Sequence, residues 1–457
     1  MTSLGTRLSV AHTDGTIGVA RRDVTPLLGI RAKNWGPADW ETSEGSHHPM
    51  TLTALAFAAE EPLLLIAVDG SWWRRVDDEW SVRSRILGGL GLAPHQLMFS
   101  LSHTHAGPVL CTGDTHLAGG ELIGPYLRRL ADAGIEAGRE ALANAENARV
   151  EWTTGRCALA GNRELDLDGR ALVGFNPDAT PADDCVLIGR VTATGGRTLA
   201  TVVNYACHPT TLAWQNRLVS PDYVGTLRET VEEATDAPCV FLQGASGELA
   251  PREQYTGDLS VADRHGRALG LAVLSALALL PAPGKELELT EVVESGAPLG
   301  IWAECPQDAR MARRSIQGSV TLDLVDLPSM DELEERWSDI DPRSRAERLG
   351  RARNLRDGYI DGPAVEHPFW VWRVGDAVLA AHPGEAYSRL QSRLRAAFPE
   401  TPIVVMNLTN GPGFVYLPTD EAYERGAYQA WQSPLAPGSL DRLEGAMVES
   451  ISAILEE

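Results

Sequence analysis

Leu97-Met98-Phe99-Ser100-Leu101-Ser102-His103-Thr104-His105-Ala106-Gly107-Pro108 is the stretch from which the fold can be read. An apolar run ends in two histidines two positions apart, and Gly-Pro then turns the chain away. In an extended segment, side chains two apart project to one face, so His103 and His105 are expected to converge. Upstream, a second apolar run, Leu63–Val68, stops at Asp69-Gly70, and helical periodicity over 82–90 separates the two. Downstream the alternation continues, with strands expected over 199–206 and 239–242 and helices over 124–144, 223–234 and 263–280. Strands alternating with helices at this spacing predict an α/β fold of layered, mixed β-sheets with surrounding helices.

The second half continues the pattern. A strand is expected over 286–295, a hairpin over 369–380 turning at Gly375-Asp376, and an amphipathic helix over 385–398. A strand over 403–407 and a closing helix over 442–455 follow. The charged stretch 330–356, broken at Asp341-Pro342, reads as an exposed helical hairpin, covering or insertional, with no chemistry assigned to it. No repeat or low-complexity linker divides the chain, which predicts a single large domain over 1–457.

Of 457 residues, 44% are hydrophobic and 22% charged, enough apolar side chain to build a core. The formal charge is −22, from 62 acidic and 40 basic residues. So acidic a surface repels phosphate backbones and anionic bilayers, excluding a nucleic-acid partner and stable membrane association. The lysines are Lys33 and Lys285, neither in a P-loop or Schiff-base setting. The six cysteines form no Cys-x-x-Cys pair, so a thiolate zinc site is not expected. The polar start, from Met1 to Asp14, has no apolar signal core, and a cytoplasmic location is expected.

Polar residues with catalytic potential each follow an apolar strand, the place where open α/β sheets bind ligands. After His103 and His105 comes Tyr205-Ala206-Cys207-His208-Pro209, where proline keeps His208 extended. His382-Pro383-Gly384-Glu385 makes a turn, and Glu385 is expected to open a helix whose dipole keeps it ionised. Met406-Asn407-Leu408-Thr409-Asn410-Gly411-Pro412-Gly413-Phe414-Val415-Tyr416 leaves a strand and returns at a tyrosine able to ligate a metal or donate to an oxyanion. Each of these alone has an ordinary structural explanation. Together, nitrogen and oxygen ligands with an open position suit hydrolytic zinc, Zn2+. Gly244-Ala245-Ser246-Gly247-Glu248 resembles a substrate wall; it is not a nucleophile elbow, because Glu248 stands where that motif needs glycine.

In order along the chain, these segments resemble the neutral/alkaline (non-lysosomal) ceramidases, in their N-terminal catalytic domain. The likeness rests on Asp23-Val24-Thr25-Pro26, Ser46-His47-His48-Pro49, Ser102-His103-Thr104-His105-Ala106-Gly107-Pro108, Asn204-Tyr205-Ala206-Cys207-His208-Pro209-Thr210, Pro383-Gly384-Glu385 and Tyr416-Leu417-Pro418-Thr419. The resemblance implies a zinc amidase. His103, His208, Glu385 and Tyr416 would hold the metal, and His105 would stabilise the oxyanion. Asn162 and Arg163 would meet substrate, together with Ser246 and Ala250 on the loop. Three departures point away from ceramide. Ala250 stands where the family carries a serine, the family's C-terminal immunoglobulin-like domain is not expected in a chain stopping near Leu455, and no secretion signal is seen. A small-molecule N-acyl amide is therefore the expected substrate. Two other readings accompany this one: the same zinc site run as acyl transfer, amide formation or ester hydrolysis, and a degenerate, non-catalytic binding protein.

Overall fold

The run Leu63–Val68 is buried on both faces: Leu64 and Ile66 enter one hydrophobic cluster, and Leu63, Leu65 and Ala67 enter another. A strand with no polar face belongs between two layers. The computed structural model describes residues 5–360, 362–412 and 415–456. The extreme start at Met1 and the Gly413-Phe414 step before Tyr416 lie outside the described residues.

Eight strands form the main sheet: β1 (His12–Asp23), β2 (Thr51–Ala58), β3 (Leu63–Val68), β4 (Leu97–Leu101), β5 (Glu146–Arg156), β6 (Cys185–Ala193), β7 (Thr198–Tyr205) and β8 (Cys239–Gln243). Their order is β8-β7-β6-β5-β1-β2-β3-β4. The centre is antiparallel, while β3/β4 and β7/β8 are parallel. Parallel neighbours need a crossover. Helix α1 (Val76–Leu90) supplies it between β3 and β4, and a second helix, Tyr223–Thr235, lies between β7 and β8. So a βαβ unit stands at each end of the sheet.

A second sheet of β9 (Arg313–Asp323), β10 (Ala364–Val374), β11 (Ala377–Ala381) and β12 (Ile403–Met406) packs on the first. Trp370, Trp372 and Leu379 from it meet Leu55, Leu65 and Met98. Truncating Trp372, fully buried, to alanine is expected to cost about 3–5 kcal/mol. Helices close both outer faces. Over the main sheet lie α1, α2 (Ile123–Ala143), α3 (Tyr223–Thr235) and α4 (Leu259–Leu277). The charged hairpin forms α5 (Met330–Arg336) and α6 (Pro342–Arg356), with Asp341 capping α6 through Arg343 N and Ser344 N. Under the second sheet lie α7 (Arg389–Ala397) and the closing helix Ser439–Glu456.

One strap determines where the site forms. After β12, Asn407 N donates to Gln243 O on β8 (3.1 Å), and Leu101 N on β4 donates to Leu408 O (3.2 Å). Asn410 completes it, its N donating to Phe99 O (3.0 Å) and its Oδ1 accepting from Phe99 N (2.8 Å). The two far edges of the main sheet are thus tied through residues 407–410. This brings the ends of β4 and β7, with their histidines, to one place.

One expectation changes. Residues 385–398 are not one helix. Glu385–Ala386 is a short strand parallel to Tyr416–Leu417, because Glu385 N donates to Val415 O (2.8 Å) and Tyr387 N to Leu417 O (3.2 Å); the helix starts only at Arg389. Of the two roles open to the hairpin α5–α6, covering or insertional, it takes the covering one, as its inner face roofs the principal cavity. Among the described residues no helix is long and apolar enough to cross a membrane.

Candidate active site

His103 follows β4, and its backbone is left-handed (φ 68°) rather than extended. The alternation argument therefore fails at this residue, yet the rings of His103 and His105 still lie 4.8 Å apart between centroids. The turn is what swings His103 inward. Its Nδ1 sits 3.2 Å from Ser71 O, and its Nε2 3.2 Å from Glu385 Oε2. His208, at the end of β7, repeats the arrangement. Its Nδ1 is 2.7 Å from Ser246 O and 3.1 Å from Leu249 O, and its Nε2 is 3.0 Å from the same Glu385 Oε2.

Carbonyl oxygens only accept, so they hold the imidazole proton on Nδ1 and leave Nε2 with its lone pair. Burial, aided by the Arg163 guanidinium, pushes the His208 pKa down to about 3, so the ring is neutral near pH 7. Lone pairs of two imidazoles and a carboxylate thus converge at hydrogen-bond distance. That donor set is what a zinc ion requires, with the carbonyls fixing each ring from behind.

Glu385 owes its position to close backbone packing. A Cβ on Gly247 would stand 2.7 Å from Glu385 O, so only glycine lets the 244–248 loop pass. Asn407 Nδ2 donates to Ala386 O (3.1 Å), and Asn407 Oδ1 accepts from His382 Nε2 (2.8 Å). Arg163 anchors on Gly247 O (2.8 Å) and extends Nη2 to Tyr416 Oη (3.1 Å) and His208 Nε2 (3.0 Å). Burial, then the nearby Glu385 charge, raise the Tyr416 pKa well above the ordinary phenol value. Even with the Arg163 guanidinium beside it, its hydroxyl keeps its proton unless a metal cation stands there too.

His105 differs from its neighbours. Both its ring nitrogens are buried and have no partner among the described residues, and burial pushes its pKa well below the ordinary value. A buried polar group without a partner in a folded protein calls for an explanation. The ring packs near Trp72 (4.7 Å) and Trp35 (5.2 Å) and faces a cavity of about 620 Å³. That volume suits a small organic molecule.

His103, His105, Glu385, Tyr416 and Arg163 line this cavity, and His208 joins them from behind through Glu385 Oε2 and Arg163 Nη2. Asn162, Ser246 and Ala250 do not line it. Asn162 Oδ1 accepts from Glu164 N (2.8 Å), Ser246 lies behind His208, and Ala250 pairs with Gly161. The loop runs under the imidazole, so it orients His208 through backbone carbonyls instead of facing the cavity. Sequence reading missed the roof. On α6, Arg348, Arg351, Ala352 and Leu355 face the cavity at i, i+3, i+4 and i+7, and on α5 Leu333, Arg336 and Trp337 do the same. The spacing is helical, but its polar members hide it from a search for apolar stripes.

Two solved structures share this architecture. A ceramidase complexed with C2 and the neutral ceramidase from Pseudomonas aeruginosa each align with a TM-score of 0.68 at 16% identity. The alignments cover 98% of this chain and 76% and 75% of those chains, respectively. No protein-family model matches the sequence, and no curated protein matches it significantly.

Proposed function

We propose that this chain, ceramidase-like in fold, is a zinc-dependent amidohydrolase that cleaves a linear N-acyl amide other than ceramide. One observation carries the reading. Two buried imidazole nitrogens and a carboxylate oxygen converge within 3.2 Å, beside an unpartnered histidine on the wall of an aromatic cavity. His103, His208, Glu385 and Tyr416 would hold the ion. When bound, zinc supplies Lewis-acid polarisation of the scissile carbonyl and a more acidic water.

The remaining roles belong to the chain. Neutral His105 has an unused ring N–H to offer the amide oxygen, and that bond strengthens as the oxygen gains charge. Arg163 places positive charge beside Glu385 and Tyr416, offsetting the negative charge collected there. Trp35 and Trp72 exclude water along the wall.

The test is amine release from a panel of short N-acyl amides by chelator-stripped protein, with and without added zinc. Turnover restored by zinc in the wild type and absent in His208→Ala is the expected result. Equal turnover by stripped and zinc-loaded protein would overturn the reading.

A further inference from the structure

We infer that the substrate of this site carries a carboxylate remote from the scissile amide, received by the arginines of the α5–α6 roof. This deepens the amidohydrolase reading and rests on it. The chain as a whole has a charge of −22, yet its principal cavity is lined by five arginines against one carboxylate among the described residues. That carboxylate, Glu385, and one arginine, Arg163, already belong to the histidine centre.

The four roof arginines differ in their partners. Arg351 Nη2 is 2.7 Å from Glu347 Oε1, and its Nη1 donates to Tyr428 Oη (3.1 Å). Arg356 gives its protons to the carbonyls of Ala352 and Pro328. Among the described residues, Arg336 and Arg348 form no ion pair. Glu332, one turn before Arg336, is occupied at the helix cap with Ser329. The Arg348 guanidinium lies 5.7 Å from the Trp337 ring and 5.3 Å from the Trp431 ring.

Cation–π contact with two indoles holds the guanidinium in place and leaves its N–H groups without an ion-pair partner among the described residues. In a chain with 62 acidic residues, an arginine so placed and left unpaired is a site for an anion from elsewhere. A planar fork accepts a carboxylate through two parallel bonds. The tryptophans beneath accept the apolar part of the same molecule. The carboxylate can belong to the amine half, as in an N-acyl amino acid, or to the far end of the acyl half, as in a dicarboxylic acid monoamide.

Tryptophan-fluorescence titration of zinc-free and zinc-loaded protein tests this without requiring turnover. The probes are N-octanoylglycine against neutral N-octanoylglycinamide, and octanedioic acid monoamide against octanamide. We expect one acid to bind roughly ten- to a hundredfold tighter than its neutral partner, and the pair showing the preference identifies the half that carries the anion. Arg348→Gln should reduce the preference to about threefold or less, raising KM while kcat holds. Arg336→Gln, on an exposed position whose loss does not endanger folding, should reduce it by a smaller factor. Neutral members binding as tightly as both acids, or a preference intact in the double variant, would overturn the inference. Acid-selective binding with no amine released from any probe would defeat the hydrolase reading alone. Release from neutral amides without selectivity would defeat this inference alone.

Discussion

Among the described residues, two histidine-rich groups have the residue types of a metal site, and each places its ligand atoms within 4.8 Å of one another. In the group of His47, His48 and Asp263, the ring nitrogens already meet oxygens. His48 Nδ1 is 2.8 Å from Glu229 Oε1 and its Nε2 is 3.1 Å from Asp263 Oδ1. His47 Nε2 is 3.2 Å from the same oxygen and its Nδ1 is 3.0 Å from Ser220 Oγ. Acids and hydroxyls can take every proton these rings offer, so nothing there calls for an ion. In the group of His103, His105 and His208, carbonyls take the Nδ1 protons of two rings, the opposite nitrogens face a carboxylate, and His105 has no partner. Both places offer metal-ligating residue types. The hydrogen-bond account separates a structural knot from a centre whose donors suit a cation.

The contrast can be broken by mutation. His208→Ala should remove zinc and lower kcat/KM by at least about a thousandfold, while His48→Ala leaves both near wild type; metal analysis and amine release read the two effects. The dryness behind the first centre gives the next effect. Glu248, whose carboxylate accepts from Ser388 N and Oγ, is pushed by burial from an ordinary 4.5 to about 7. The folded state therefore binds more protons than the unfolded state between those values. The stability this group contributes is full below about pH 4.5 and is lost as pH rises through 7. Relative to Glu248→Gln, the wild type should lose ~3 kcal/mol over that interval in denaturant titrations. His105→Ala should keep its zinc and lose roughly a hundredfold in kcat, as for a missing oxyanion donor. Smallest of all, Asp263→Asn in the second group should cost about 1 kcal/mol or less, because that ion-pair knot is partly exposed.

Much of the architecture was legible because apolar runs bounded by turn residues have few alternatives. Leu63–Val68, Leu97–Leu101 and Cys239–Gln243 emerge as strands near their expected limits, and the residues after them reach the cavity or its support. The His-x-His pair was found through a partly wrong premise, since His103 turns through φ 68° instead of alternating. Glu385 was found, but its helix was not. A long-range backbone pairing with Tyr416–Leu417 decides its conformation, and local sequence carries no mark of that partner. The roof was missed for a different reason. A helix whose buried-side positions include Arg348 and Arg351 reads as solvated until a cavity is known to lie beneath it.

Metal content tests the central claim most directly, measured by elemental analysis on zinc-supplemented wild type, His208→Ala and His48→Ala after removal of free ion. About one zinc per chain in the wild type and in His48→Ala, with none in His208→Ala, is what convergent imidazole lone pairs on Glu385 predict. No bound zinc in the wild type, or zinc lost only from His48→Ala, would contradict it.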